Sequence, residues 1–370
     1  MSDGFEYVFP AIRGIQAQRE YYVSMCPMRI LPRLFHFDEE ELSPELRAQR
    51  QLNKARVPEL SRYITENYDN YVFSAITVSI DAEVAFERVN GAADESRMGL
   101  LRVPMTARYI INDGQHRRAA IERALRDKPE LGDETIAVVF FMDKGLERCQ
   151  QMFADLNRYA IRPSKSLGIL YDYRDQTARL AKSLIASSDT FRDVVELEKT
   201  SLAARSRRLF TLSAIYQATG ELISDLPETD VEQSANLALE FWEAVAESLE
   251  EWKRVRRGDL TAGEVRVDFI NTHAVVLQSL ARMGRALIQQ HPQDWMDRLG
   301  RLDEIDWRRS NSSLWEGRAL AGGRLSKSHQ RVILTANAIK THLGLALLPE
   351  EQELEDAFRR GIGESESADG

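Results

Sequence analysis

Residues 108–118 read Arg-Tyr-Ile-Ile-Asn-Asp-Gly-Gln-His-Arg-Arg, and they decide the fold of the first part of the chain. The run 108–111 has the aromatic and β-branched residues of a buried strand, and an Asn-Asp-Gly turn follows it. Residues 115–126 place their apolar side chains at helical spacing, and Pro129 ends the helix. The apolar run 135–142 predicts a further strand. The order is strand, tight turn, helix, strand.

The rest of the sequence predicts an α+β protein with two parts. Residues 1–165 alternate β-rich runs, such as 71–80, with polar helices, such as 146–159, and predict a mixed α/β domain. Residues 166–348 lose this β character and predict a helical lobe, with helices at 176–185, 206–218, 231–254 and 274–290. Residues 349–370 predict the end of a C-terminal helix and, from 361, a disordered acidic tail.

Composition limits the classes of function. No apolar run approaches the roughly 20 residues that span a bilayer, so we expect a cytoplasmic protein that does not contact membranes. Two cysteines and six scattered histidines lack the spacing of zinc ligands, so no metal site is expected. The net charge of −9 does not exclude nucleic acid, because binding depends on local clusters of Arg and Lys.

The turn at residues 112–118 has the composition of an anion site. Amide groups at a helix N-terminus point at whatever lies above the turn, and Gly114 lets a ligand approach the backbone. His116 and Arg117 lie in the first turn, where the helix dipole disfavours cations unless an anion is present. Asp113 could cap the helix or hold a metal-bound phosphate. The alternative is a plain N-cap, a turn glycine and a surface pair.

The run Asp113-Gly114-Gln115-His116-Arg117 resembles the signature of the DGQHR-domain family, which includes the DndB proteins of DNA sulfur modification (phosphorothioation). The resemblance extends along most of the chain. Its further motifs are Arg13-Gly14-Ile15-Gln16, residues 49–56 (QRQLNKAR) with an Ile-Thr strand after them, a Phe-Phe strand, Phe153-Ala154-Asp155-Leu156-Asn157-Arg158, and Leu314-Trp315-Glu316-Gly317-Arg318. It implies a ParB/sulfiredoxin-like domain at 1–165.

The resemblance implies a DNA-binding transcriptional repressor of phosphorothioation genes, whose partner is double-stranded promoter DNA. The alternative is a nucleotide-binding enzyme or switch, an NTPase or phosphotransferase, that uses a nucleoside triphosphate with Mg²⁺. Its catalytic residues would be Asp113 on the magnesium ion, His116 on an attacking water and Arg117 on phosphate oxygens. The whole phosphate site would comprise Asn112, Asp113, Gly114, Gln115, His116, Arg117, Asn157 and Arg158. For Asn157 and Arg158, helix C-capping is an equal alternative.

Cationic clusters are the candidates for DNA contacts, although each could be an ordinary solvated helix face. The three clusters are Arg205, Arg207 and Arg208; Lys253, Arg254, Arg256 and Arg257; and Arg318, Arg324, Lys327 and Arg331. A further N-terminal group comprises Arg13, Arg19, Arg29, Arg33, Lys54 and Arg56.

Cys26 lies three residues before Arg29, and nearby positive charge lowers the pKa of a thiol, so it is a redox candidate. The alternative is a small buried apolar residue. The sequence leaves a homo-oligomer open.

Overall fold

The computed structural model describes residues 5–35, 55–89, 97–144, 148–158, 163–225 and 231–368, except for the side chains of 150, 157, 231 and 362–368. The chain divides into two compact units, Met1–Ile161 and Arg162–Gly370. The first contains a mixed sheet with helices and the second is mainly helical, so the fold is α+β. No helix in the described ranges has the length and apolar character to cross a membrane.

The first unit is built on a seven-stranded sheet in the order β4-β5-β1-β2-β7-β3-β6. Neighbouring strands are antiparallel except for the parallel pair β3 and β7. The strands are β1 Glu6–Gln16, β2 Arg19–Pro27, β3 Ile76–Asp81, β4 Ala85–Arg88, β5 Met98–Pro104, β6 Arg108–Asp113 and β7 Thr135–Met142. The helices are α1 Leu31–Leu34, α2 Arg56–Glu66, α3 Gln115–Asp127 and α4 Cys149–Arg158, with 3₁₀ turns at Met28–Ile30 and Pro129–Asp133.

The strand, turn, helix and strand predicted around residue 113 are confirmed as β6, α3 and β7. The buried face of α3, with Ala120, Ile121 and Ala124, joins Val138 and Phe140 of β7 in one core. The predicted strand 71–80 begins only at Ile76. Residues 49–54, which are most of the motif 49–56 and include Lys54, lie outside the described residues.

The second unit is assembled around one long helix, α11 Ala274–Gln290, which packs against α7 Leu212–Ile223 and α14 His329–His342. The other helices are α5 Lys165–Tyr171, α6 Gln176–Ser187, α8 Val231–Glu247, α9 Glu250–Arg257, α10 Ala262–Asp268, α12 Trp295–Leu299, α13 Ser312–Trp315 and α15 Pro349–Ala368, with a 3₁₀ turn at Gly300–Glu304. Helix α15 extends into the segment from 361 whose composition predicts disorder. The core is aromatic, with Phe241, Trp242, Trp252 and Trp315 fully buried.

Three details of the helical lobe differ from the sequence predictions. The lobe has β structure, because β8 Val195–Glu196 pairs with β9 Phe210–Thr211 and β10 Leu320–Ala321 pairs with β11 Arg324–Leu325. The predicted helix 206–218 begins only at Leu212, where Thr211 caps it by accepting a hydrogen bond from the amide of Ala214. The predicted helix 231–254 is two helices, since extended backbone at the fully buried Leu249 separates α8 from α9.

We predict opposite stability effects for two Gly→Ala substitutions in helices. At Gly284 a Cβ would lie 2.2 Å from Cε2 of the buried Phe241, so overpacking lowers the free energy of unfolding by about 1–3 kcal/mol. Gly168 of α5 has nothing within 4 Å of that position, so Gly168→Ala raises it by up to about 1 kcal/mol through helix propensity. Urea denaturation of both variants measures this. Equal effects would contradict the packing described for α8 and α11.

Candidate functional site

The turn after β6 begins with a β-bulge. Thr77 pairs with Asp113 whereas Val78 pairs with Ile111, so Asn112 is the extra residue. The Asn112 side chain is fully buried and donates from Nδ2 to the Ser79 hydroxyl at 2.8 Å. Asn112 therefore anchors the end of β6 to β3 and faces the interior.

Gly114 has a left-handed backbone, with φ at +107°, and lies at the N-cap of α3. A Cβ here would also come within 3.1 Å of Cγ1 of Ile76, so both backbone and space require glycine. No side chain caps the helix, and Asp113 has a different partner. Gly114, as the N-cap, supplies no side-chain acceptor to the amides of the first turn.

The cations of this helix end are compensated within the protein. Arg117 Nη2 lies 2.7 Å from Asp113 Oδ2, and the same guanidinium donates to the Ser74 hydroxyl. Arg118 pairs with Glu122 at 2.7 Å and donates to the carbonyl of Pro32. These contacts supply the negative charge that the sequence alone left without a source.

The electrostatics of His116 follow from its position. Partial burial lowers the pKa of His116, the cations of Arg56 and Arg117 lower it further, and Asp113 opposes them. The imidazole is therefore uncharged at neutral pH. It adds no cation to the helix N-terminus and can accept a proton.

The guanidinium of Arg117 keeps unused hydrogen-bonding capacity at the turn. Its Nε is buried without a partner among the described residues. Gln115, in the same helical turn, is 8% exposed. A donor of this kind at a helix N-terminus could bind one small anion.

Helix α4 carries the other predicted phosphate ligands and packs against β6. Arg158 is exposed at the last residue of this helix, whereas the side chain of Asn157 lies outside the described residues. Among the described residues, no group of three or more His, Cys, Asp or Glu side chains could hold a metal ion.

Cys26 of β2 is fully buried in the first core, and burial raises the pKa of its thiol to about 11. Arg29, the cation that suggested an activated thiol, instead pairs with Asp133 and donates to the carbonyl of Gly132. The environment of Cys26 is that of a structural apolar residue.

Two of the four members of the third cluster have internal partners. Arg318 is 8% exposed and binds both carboxylate oxygens of the buried Glu355, at 2.9 and 2.6 Å. Arg331 donates to the carbonyls of Leu320 and Arg318. Arg324 and Lys327 are exposed, and Lys327 donates to Gln217. These contacts leave Arg318 and Arg331 little capacity to bind a phosphate.

The first cluster stands on a loop held by a buried arginine that the sequence did not single out. Arg266 of α10 is 9% exposed and donates to the carbonyls of Ala203, Ala204, Ser206 and Arg208. With those carbonyls turned inward, Arg205 and Arg207 are exposed. Arg208 binds the carbonyl of Asp193 instead.

Gly263 lets the loop approach α10. A Cβ at Gly263 would lie 2.8 Å from the carbonyl oxygen of Ala204, which Arg266 also binds. Neither Gly263 nor Arg266 gives a signal in the sequence, because their roles depend on a loop about 60 residues earlier.

The first cluster lines a cleft of about 860 Å³, and the second cluster lies on α9, the helix that contributes Val255 to the same cleft. One wall is the loop with Arg205 and Arg207, another is α9 at Val255, and the third is α10 with the residues that precede it. On α9, Arg254 and Arg256 are exposed and form no direct ion pair within the described residues, whereas Arg257 pairs with Glu250 and Asp259. Segments 203–208 and 254–268 hold seven arginines and three acidic residues, a local charge of +4 in a chain of charge −9.

Comparison with known proteins identifies the family. The family model DndB, described as DNA-sulfur modification-associated, matches residues 9–346. The chain belongs to the DndB family. The match covers both units, so the arginine cleft and the turn at Gly114 both lie within the family region. Neither the curated proteins nor the solved structures contain a match to the chain.

We predict that acid destabilises the second unit through His273. Its Nε2 lies 2.9 Å from the carbonyl oxygen of Arg266, and burial lowers the pKa of His273 to about 4. The unfolded chain binds this proton near pH 6.5, so the free energy of unfolding is highest above that pH and falls by about 3 kcal/mol as pH drops to about 4. Denaturant midpoints at pH 7.5 and 5 should differ less for His273→Gln than for the native chain. If the midpoints of the two chains differ equally between pH 7.5 and 5, His273 is not the source of the acid destabilisation.

Proposed function

We propose that this DndB-family chain is a DNA-binding transcriptional regulator, a repressor, of a DNA phosphorothioation system. The family assignment supports a role in DNA sulfur modification. The observation that carries DNA binding is the cleft lined by the exposed Arg205 and Arg207, with a wall on α9, the helix that carries the exposed Arg254 and Arg256. The proposed partner is double-stranded DNA upstream of the modification genes, and a homo-oligomer would let two clefts engage two half-sites.

The cleft is better suited to bind phosphates than a set of arginines scattered over the surface would be. Exposed guanidinium groups without ion-pair partners lose little when a phosphate replaces water. Arg266 fixes the loop backbone through four carbonyl contacts, so less conformational entropy is lost when Arg205 and Arg207 bind. Contacts between arginines and phosphates position a protein on DNA but do not distinguish one base sequence from another. Contacts to the base edges must supply that recognition.

We predict that Arg205→Glu with Arg207→Glu weakens binding to all DNA by about 10- to 100-fold. Loss of two phosphate contacts should also reduce the slope of log K against log salt by about 2. Electrophoretic mobility shift with the upstream region and with random DNA, over a series of salt concentrations, measures both effects.

The matched control is Arg179→Glu with Arg360→Glu, two exposed arginines of the same unit that do not line the cleft. It should retain native affinity to within about twofold. Equal losses in the two double variants would locate binding elsewhere, and native protein without preference for the upstream DNA would refute the repressor.

We also propose that the first unit is a ParB/sulfiredoxin-like domain with a second role, nucleotide or phosphate binding at the turn after β6. The glycine N-cap of α3, which offers no side-chain acceptor, and the unpartnered Nε of Arg117 favour it. Because Asp113 and Arg117 are paired at 2.7 Å, a phosphate must share or displace this contact. A nucleoside triphosphate with Mg²⁺ would act as substrate in an enzyme, or as ligand in a switch that controls DNA binding.

We predict that Arg117→Gln reduces binding of a fluorescent ATP analogue with Mg²⁺ by at least about tenfold. Arg123→Gln, an exposed arginine on the same helix, is the control and should leave the affinity unchanged. Fluorescence titration and a phosphate-release assay, with Asp113→Ala added, separate binding from hydrolysis. If the native chain neither binds nor hydrolyses the nucleotide, this second role is wrong.

A further inference from the structure

Apolar residues line much of the arginine cleft, the cleft that also contains Arg205 and Arg207. Val255 of α9, Leu260, Ala262 and Val267 of α10 all line it, alongside the backbone of Gly258 and Gly263. Val267 is 60% exposed although it is purely apolar, so the cleft offers hydrocarbon surface to solvent beside cationic groups. A site for ordinary phosphate oxygens would be expected to offer hydrogen-bond donors at this place.

Two carboxylates also line the cleft, Glu264 and Asp268. The pKa of Glu264 is lowered by hydrogen bonds from Thr261 and by the nearby Arg254, so it is charged and holds the capping box of α10. These carboxylates repel anionic oxygen and anionic sulfur alike, so they do not select between the two atoms. The apolar lining can select, because it favours a large, weakly hydrated atom over a strongly hydrated oxygen.

A phosphorothioate diester contains such an atom. Sulfur replaces one non-bridging oxygen of the backbone, the linkage keeps its single negative charge, and the sulfur is larger, more polarisable and a weaker hydrogen-bond acceptor than oxygen. Transfer of such an atom from water to an apolar surface costs less than transfer of an oxygen. The remaining oxygen can still contact a guanidinium.

We propose that this cleft binds phosphorothioate DNA in preference to unmodified DNA, with the large, weakly hydrated sulfur against Val267 and its neighbours and the remaining non-bridging oxygen near Arg205 and Arg207. The proposal rests on the DNA-binding function proposed above and specifies its ligand. A repressor with this preference binds a modified operator more tightly, which couples expression of the modification genes to their product.

The experiment compares three duplexes of one sequence from the upstream region: unmodified, and with one central phosphorothioate of each configuration. Fluorescence anisotropy with the full chain, at one salt concentration, gives a Kd for each. An apolar contact the size of one methylene group corresponds to about a fourfold change in affinity, so we expect one phosphorothioate duplex to bind about fourfold more tightly. Equal Kd values overturn the preference and leave DNA binding intact. No binding to any duplex overturns both proposals.

Two valine variants test the location. Val267 is 60% exposed, so Val267→Ser should fold, and it should bring the ratio of the Kd values for unmodified and phosphorothioate DNA close to one, whatever its Kd for unmodified DNA. Val72→Ser, at a valine 78% exposed in the other unit, should retain the native preference. A Val267→Ser chain with the full fourfold preference would overturn the assignment to this cleft.

Discussion

The proposed DNA surface depends on one buried cation, Arg266. Its guanidinium binds four backbone carbonyls of the 203–208 loop and pairs with no carboxylate in the described parts of the chain. Burying a charge this way costs desolvation energy, which carbonyl dipoles offset only if the loop keeps one conformation. Removing Arg266 would leave several carbonyls without a donor. The hydrogen bonds from Arg266 thus fix the loop backbone and leave the side chains of Arg205 and Arg207 on the surface.

The arginines at the turn after β6 and those near the cleft differ in whether they form ion pairs. At the turn after β6, the guanidinium of Arg117 is neutralised by Asp113, and Arg118 by Glu122, within the same helix. Within the described residues, Arg205 and Arg207 of the cleft and Arg254 and Arg256 of α9 form no direct ion pair, although the chain as a whole is acidic. Local surplus charge, rather than net charge, governs the attraction of a polyanion. This contrast favours the second unit over the turn for the proposed DNA contacts.

Sequence patterns predicted the parts of the fold whose causes are local. The helix at Gln115–Asp127 and the strand at Thr135–Met142 follow from apolar periodicity and from Gly114, and α11 matches its predicted range of 274–290. The same reasoning failed for 206–211, where Ser206 and Arg208 give their carbonyls to Arg266 and Phe210–Thr211 pairs with β8. It also could not separate Arg318, which is buried against Glu355, from Arg205, which is exposed, because both are arginines in polar, cationic stretches.

The sequence by itself determined that a glycine turn links β6 to α3, that the second part is mainly helical and that arginines cluster in three places. These features depend on neighbours a few residues apart, whose periodicity, backbone freedom and charge are visible in order along the chain. Only the tertiary structure decided which arginines face solvent, that Cys26 is a buried core residue, and that the loop of the first cluster and helix α9 of the second border one cleft. Those outcomes depend on groups far apart in sequence, such as Arg266 and the carbonyl of Ala203, whose contact exists only after the chain has folded.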